Sequence, residues 1–173
     1  MNPKSAREAA RGSTSHGSIT STYHRGKNAI PGGSFVDTNI WVYAHLQAPE
    51  DPRHPRALEL VYGLTDGVIS AQVAAEYYNV MRRAGREDSW IQENLAAMLD
   101  YVRCQAMDSA LIRRSWAIRN RFGLSHWDAQ IVAAALAAGC DTLYTEDLQH
   151  GQHIAGLIII DPFKPLPERT VSH

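Results

Sequence analysis

The sequence predicts an α/β fold: a three-layer α/β/α sandwich around a mainly parallel sheet. Short apolar segments rich in β-branched residues alternate with longer segments of helical period, which is the pattern of repeated strand–helix units. The length of 173 residues suits one domain. Hydrophobic residues make up 45% of the chain, which is enough to fill the core of such a domain.

The predicted strands are short and end at polar residues. Asp37 closes the first strand, Ser70 the second, and Pro162 follows the last. The five predicted strands cover residues 34–37, 67–70, 104–107, 142–145 and 157–161.

The predicted helices lie between these strands and carry recognisable start and stop signals. Asp108 and Ser125 stand where N-caps are expected, and Gly139 stands at a helix C-terminus. The predicted helices cover residues 38–45, 55–64, 72–84, 89–103, 109–122 and 125–138, with a loop at 48–52.

The chain divides into a polar tail and a globular domain. Residues 1–33 are rich in Ser, Thr, Gly and Arg without a hydrophobic period, so we predict a disordered tail there, a domain over 34–165 and a second tail over 166–173. The net charge is −1, divided into +4 for residues 1–33 and −5 for the remainder. The domain therefore does not attract nucleic acid by bulk charge and needs local cations to do so.

Cysteine and apolar-segment usage point to a cytoplasmic protein. Cys104 and Cys140 have no metal-binding spacing, and we expect both to be reduced core thiols. No run of about 18 apolar residues occurs, so no membrane span is expected.

Four acidic residues are predicted to meet at one edge of the sheet, because the carboxyl ends of parallel strands share an edge. Asp37 and Asp147 follow strand ends, Glu76 lies on the helix after a strand, and Asp128 lies in the first turn of its helix. Each also has a purely structural interpretation; Ser125 and Asp128, for example, have the spacing of a capping box.

Gathering four carboxylates costs stability unless a cation offsets their repulsion. Hard oxygen ligands in a site open to water suit Mg²⁺ or Mn²⁺. Such ions bind phosphodiesters and activate water, so the acids favour a metal-dependent hydrolase acting on a polyanion.

Each of the four acids lies in a longer motif. The four motifs are Phe35-Val-Asp-Thr-Asn-Ile-Trp-Val-Tyr-Ala44, Ser70-Ala-Gln-Val-Ala-Ala-Glu-Tyr-Tyr-Asn-Val80, Leu124-Ser-His-Trp-Asp-Ala-Gln-Ile-Val-Ala-Ala-Ala135 and Leu143-Tyr-Thr-Glu-Asp-Leu-Gln-His-Gly151. They resemble the motifs of PIN-domain nucleases, and in particular those of the VapC-type toxins of toxin–antitoxin pairs, and the resemblance spans about residues 34–163.

The resemblance implies a ribonuclease dependent on Mg²⁺ or Mn²⁺, the toxin of a type II pair, with a cognate antitoxin and a homodimer as expected partners. It carries over Asp37, Glu76, Asp128 and Asp147 as the catalytic and metal-binding acids. In the mechanism we expect, the three aspartates hold one or two metal ions, and Glu76 positions a metal or the attacking water. The polar residues that match beside them are Thr38, Asn39, Ser125 and Thr145.

Several other residues are weaker candidates. His126 replaces an aromatic residue that is more usual in similar chains, and His150 lies near the fourth motif; packing or surface positions are favoured for both. For the four tryptophans, packing in the core or at a partner interface is expected. Arginines that could contact the RNA backbone, or simply form solvated helix faces, are Arg82, Arg83, Arg86, Arg113, Arg114, Arg119 and Arg121.

Two rival functions fit less well. A haloacid-dehalogenase-type phosphatase needs a second Asp where Asn39 stands and a lysine near the phosphate, but the domain's only lysine is Lys164. A catalytically silent PIN-like module that binds RNA or protein is the main alternative, and the presence of all four acids disfavours it. The sequence does not identify the RNA that would be cleaved.

Overall fold

The computed structural model describes residues 32–46 and 50–165. The predicted tails, apart from residues 32 and 33, lie outside the described residues, and so does part of the predicted loop at 48–52. The domain boundaries therefore stay predictions. The strands are β1 (Gly33–Val36), β2 (Gly67–Ser70), β3 (Arg103–Gln105), β4 (Cys140–Tyr144), β5 (His153–Ile154) and β6 (Leu157–Ile160). The helices are α1 (Thr38–His45), α2 (Arg53–Tyr62), α3 (Ala71–Arg83), α4 (Asp88–Tyr101), α5 (Ser109–Phe122) and α6 (His126–Ala137).

The six strands form one sheet in the order β3-β2-β1-β4-β6-β5. All neighbouring pairs are parallel except β5 and β6. The chain moves outward from β1 to β3 and then crosses back to β4 on the other side of β1. Right-handed crossovers then place α1–α4 and the α5–α6 pair on opposite faces. The predicted three-layer α/β/α sandwich is confirmed.

Strand β5 was absent from the sequence prediction. It forms a hairpin with β6 through Ala155 and Gly156, whose φ angles of 52° and 94° are both positive. Consecutive positive φ angles belong to the tight turn that suits a twisted hairpin. The two-residue strand is too short to show an alternating pattern in the sequence.

Helix α6 forms the centre of the α5–α6 layer. Its residues from Ala129 to Ala135 are all buried, so this helix is apolar around nearly its whole circumference. Small alanine side chains let α6 approach both α5 and the sheet. On the sheet, the core side chains Phe35, Ile69 and Leu143 are fully buried.

Side-chain caps fix the starts of α1, α3, α5 and α6. Asp108 accepts a hydrogen bond from the backbone N–H of Leu111 at 2.8 Å, and Ser125 accepts one from that of Asp128 at 3.1 Å. Both predicted N-caps are confirmed. Ser70 caps α3 in the same way, through the N–H of Val73 at 3.3 Å.

One expectation about burial needs correction. Cys140 is buried as predicted, but Cys104 is exposed, because edge strand β3 pairs only with β2. Trp41 lies in the core, whereas Trp116 and Trp127 are 48% and 61% exposed. Within residues 32–46 and 50–165, no helix combines the length and apolar character that a bilayer crossing requires.

Candidate active site

The candidate site lies where the chain reverses direction across the sheet, between β1 and β4. Crevices of this kind, at the carboxyl ends of adjacent strands, are where α/β sheets bind ligands. Asp37 follows β1, and its backbone N–H donates to the carbonyl oxygen of Tyr144 at 3.0 Å. Thr145, which follows β4, donates from its hydroxyl to Asp37 Oδ2 at 2.7 Å. The two strands thus join the first and fourth motifs directly.

Asp37 is the buried carboxylate of the site, with only 8% of its surface exposed. Its Oδ1 accepts from the backbone N–H of Thr38 at 2.7 Å, so the carboxylate also caps α1. Burial raises the pKa of Asp37 to about 6; the bonds from Thr145 and Thr38 oppose this, and the charges of Asp147 and Glu76 add to it. A carboxylate in this position is stabilised by a nearby cation.

Glu76 lies in the second turn of α3 and is held by two neighbours. The Thr38 hydroxyl donates to Oε2 at 3.0 Å, and the Gln72 amide donates to Oε1 at 2.8 Å. Thr38 therefore connects the start of α1 to α3. Both Glu76 oxygens are already engaged, which fixes the orientation of the carboxylate.

Asp147 is the most exposed of the four acids. The Asn39 amide donates to its Oδ2 at 3.1 Å, and its backbone N–H donates to the Thr145 hydroxyl oxygen at 3.1 Å. Burial raises the pKa of Asp147, as do the neighbouring charges of Glu146 and then Asp128, while the bond from Asn39 lowers it.

The Asp147 loop is supported by a network that the sequence did not reveal. The Tyr43 hydroxyl donates to Glu146 Oε1 at 2.5 Å and accepts from Arg53 Nη1 at 2.6 Å. Arg53 also lies 3.6 Å from Glu146 and is paired with Asp51 at 2.8 Å. Glu146 is therefore a structural residue whose charge is offset by Arg53.

Asp128 combines capping with a place in the acidic cluster. Ser125 accepts from its backbone N–H and donates to its Oδ2 at 2.6 Å. The charge of Asp128 contributes to the raised pKa of Asp147, which puts the two carboxylates within electrostatic reach. These contacts are compatible with both interpretations of Asp128, as part of the helix cap and as one of the acids of the site. Its catalytic role stays a prediction.

The oxygen atoms of the crevice suit a divalent cation that keeps part of its water shell better than one coordinated entirely by protein atoms. Within the described ranges, no three Asp, Glu, His or Cys side chains are grouped closely enough to enclose a metal ion. Mg²⁺ usually keeps several waters and needs only one or two carboxylates. Asp128 Oδ1 and Asp147 Oδ1 accept no protein hydrogen bond in that part of the chain. Asn39 Oδ1 is buried without a hydrogen-bond partner and is a further hard oxygen atom near Asp147.

The two histidine candidates have structural partners. His126 lies 3.2 Å from the Gln130 amide and packs edge-on against Trp127. The Nδ1 atom of His150 accepts from the backbone N–H of Asp161 at 3.0 Å, which ties the loop after β4 to the end of β6. Neither contact involves the four acids.

The candidate arginines lie on two separate helices and their ends. Arg82 and Arg83 are exposed in the last turn of α3, and Arg86 packs over Trp90 with 5.3 Å between the guanidinium carbon and the ring centre. The remaining four, all exposed on α5, are Arg113, Arg114, Arg119 and Arg121. Their contact with RNA stays a prediction.

Comparison with known proteins places this geometry in a family. The model of the PIN domain matches residues 34–153. The chain is similar to a toxin–antitoxin complex from Klebsiella pneumoniae, with a TM-score of 0.61 and 18% identity over 77% of this chain and 100% of that one. It is also similar to Mycobacterium tuberculosis VapC20, described as a toxin that cleaves the sarcin–ricin loop, with a TM-score of 0.54 and 23% identity over 66% and 92% of the two chains. No curated protein sequence matches.

At these identities the solved structures support the fold, and the family model covers more than half of the sequence. The motifs that met at the β1–β4 crevice all lie inside the matched region. This chain therefore belongs to the PIN domain family.

Proposed function

We propose that this protein is an endoribonuclease that requires Mg²⁺ or Mn²⁺ and acts as the toxin of a type II toxin–antitoxin pair. The observation that carries the proposal is the set of hydrogen bonds that links the carboxylates of Asp37, Glu76 and Asp147, from three separate motifs, at one crevice. The charge of Asp128, from a further motif, acts on Asp147. A fold kept only for packing has no need to place so many acids together, because their mutual repulsion costs stability.

Asp128 and Asp147 are the residues best able to hold the ion, since each offers an oxygen atom without a protein partner among the described residues. Asp37 and Glu76 contribute negative charge from deeper in the crevice and are fixed by Thr145 and Thr38. A bound divalent ion supplies positive charge for the phosphodiester and for the oxygen that leaves. The bound cation also offsets the repulsion between the acidic domain and RNA, since an acidic pocket accepts a phosphate only when a cation lies between them.

The polar neighbours keep the carboxylates in fixed orientations. Asn39 orients Asp147, and Ser125 orients Asp128 while holding it at the start of α6. Carboxylates held in this way need little reorganisation when substrate and metal arrive, and such preorganisation accounts for much of enzymatic rate enhancement.

One similar structure supports a protein partner. The structure from Klebsiella pneumoniae is described as a toxin–antitoxin complex. We propose a cognate antitoxin and a homodimer for this chain as well, and a cytoplasmic RNA as its substrate.

The test is cleavage of total cellular RNA by purified protein with Mg²⁺ or Mn²⁺, and again with EDTA. Asp128→Asn keeps the helix cap but removes a charge from the crevice, and we expect it to abolish cleavage. Asp100→Asn makes the same change on exposed α4 and serves as the matched control. Cleavage that persists in EDTA or in Asp128→Asn would overturn the mechanism; no cleavage by the folded wild-type protein would favour the silent binding module.

A further inference from the structure

Glu146 is the neighbour of Asp147 in the loop after β4, yet the two carboxylates are held by different partners. The Asn39 amide donates to Asp147 Oδ2 at 3.1 Å, whereas Glu146 Oε1 accepts from the Tyr43 hydroxyl at 2.5 Å. The charge of Glu146 raises the pKa of Asp147 more than the charge of Asp128 does, so Glu146 is within electrostatic reach. The loop therefore carries a second carboxylate beside the one proposed to hold the metal ion.

Three contacts fix the Tyr43 side chain that holds Glu146. Arg53 Nη1 donates to the Tyr43 hydroxyl oxygen at 2.6 Å, and the Arg53 guanidinium carbon lies 4.1 Å from the centre of the Tyr43 ring. Phe163 packs edge-on against the same ring, with 5.5 Å between ring centres. Burial, together with the bond to Glu146, raises the pKa of Tyr43 to about 12, so the hydroxyl keeps its proton and donates it to Glu146.

Arg53 is itself held in a fixed orientation by Asp51. The Asp51 carboxylate accepts from Arg53 Nε at 3.0 Å and from Nη2 at 2.8 Å, and this bidentate contact sets the plane of the guanidinium. Arg53 Nη1 then lies 3.6 Å from Glu146 Oε2. The Arg53 and Glu146 side chains are 40% and 25% exposed, so their ion pair adds little to stability. The contacts are better suited to holding Glu146 in place than to stabilising the fold.

On the basis of the proposed metal-dependent function, we infer that Arg53 and Tyr43 are positioning residues that keep Glu146 away from the metal ion. Of the two neighbouring carboxylates, only Asp147 is then presented to the crevice. An unrestrained Glu146 competes for the cation, because Mg²⁺ and Mn²⁺ bind any hard oxygen ligand within reach. An ion drawn towards Glu146 is misplaced, and a displacement of about 1 Å is enough to slow an enzyme about a hundredfold.

The first measurement is the binding of Mn²⁺ to the metal-free protein by calorimetry, which does not depend on activity. Arg53→Gln releases Glu146, so we expect it to bind Mn²⁺ about fivefold more tightly than wild type, because charged ligands raise affinity. Adding Glu146→Gln should remove this gain, since the amide is neutral. Arg56→Gln is the matched control on α2 and should bind Mn²⁺ as wild type does, because Arg56 pairs with exposed Glu59 at 3.3 Å.

The second measurement is RNA cleavage by the same variants at saturating Mn²⁺. Arg53→Gln should lower kcat about tenfold with little change in KM, because the ion is bound but misplaced. Arg53→Lys keeps the charge but loses the bidentate contact with Asp51, so it should retain more activity than Arg53→Gln. Arg53→Gln combined with Glu146→Gln should return to the rate of Glu146→Gln alone, a rescue that a purely structural role of Arg53 would not produce.

Mn²⁺ binding by Arg53→Gln that is weaker than wild type or unchanged would overturn the inference. So would a double variant that stays slower than Glu146→Gln, or a Glu146→Gln variant that is inactive, because the charge of Glu146 would then be required.

The two proposals fail in different ways. If wild-type protein binds Mn²⁺ but does not cleave RNA, the proposed function fails, and the binding comparison still tests Arg53. If wild-type protein cleaves RNA and Arg53→Gln behaves as wild type does, only the inference fails. If wild-type protein binds no divalent ion, both fail.

Discussion

Asp37→Asn should inactivate the enzyme and at the same time stabilise the metal-free fold above neutral pH. Asp37 is buried, and its pKa is raised from 3.8 to about 6, so the charged form is the unfavourable one in the folded protein. The native state therefore holds the Asp37 proton more tightly than the unfolded state. The free energy that the folded protein loses by holding Asp37 in its charged form is absent below about pH 4, grows as the pH rises to about 6, and is complete above that.

The size of the effect follows from the pKa shift. About two pKa units correspond to roughly 3 kcal/mol of penalty for the ionised carboxylate. Asn relieves this penalty but pairs less well with Thr145, whose hydroxyl loses its acceptor, at a cost of about 1 kcal/mol. The variant should therefore be about 2 kcal/mol more stable than wild type near pH 8 and slightly less stable near pH 4.

Urea unfolding in EDTA, between about pH 4 and pH 8, measures this difference. The free energies of unfolding of the two proteins should cross as the pH rises. A difference that does not depend on pH would refute the claim that burial of the charge raises the pKa of Asp37. An Asp37→Asn variant that is less stable than wild type near pH 8 would refute the predicted direction of the stability difference.

Three further predictions follow from the same contacts. Ser125→Ala removes the cap of α6, so it should lower the free energy of unfolding in urea by about 1 kcal/mol. It should also slow RNA cleavage, because the Asp128 carboxylate loses the hydroxyl that orients it; unimpaired cleavage would contradict this positioning role of Ser125. In thermal unfolding, Mg²⁺ above its Kd should stabilise wild type by about 1.4 kcal/mol per tenfold excess over Kd. At any one concentration it should stabilise Asp128→Asn by less, because the Kd of the variant is larger; equal stabilisation at every concentration would remove Asp128 from the metal site. In the native protein, Cys104 should react quickly with an aromatic disulfide reagent because it is exposed. Cys140 should react only after unfolding, since burial raises the pKa of the Cys140 thiol to about 11; rapid reaction of both thiols would contradict the burial of Cys140.

Local sequence signals determined most of the secondary structure. The N-caps Asp108 and Ser125 act on backbone groups three residues away, so their effect does not depend on the rest of the fold. The same holds for the apolar strands that end at Val36, just before Asp37, and at Ser70. The crevice rule for parallel sheets then predicted that acids following these strands would approach each other, and the structure places their motifs at the β1–β4 crevice.

Only the tertiary structure decided which residues pair within that crevice. Thr145 and Asp37 are 108 positions apart, and their contact depends on β4 lying beside β1. The support of the Asp147 loop by Tyr43 and Arg53 has no local signal for the same reason.

The solvent exposure of individual side chains could not be predicted from sequence patterns either. Cys104 belongs to a residue type that is usually buried, and we expected it in the core. For Trp127 we expected packing in the core or at a partner interface. One lies in the first turn of α6 and the other on an edge strand, so both are exposed. Capping and periodicity act through neighbours in the chain and could be predicted from the sequence. Strand order and exposure result from packing between distant segments, which only the folded chain defines.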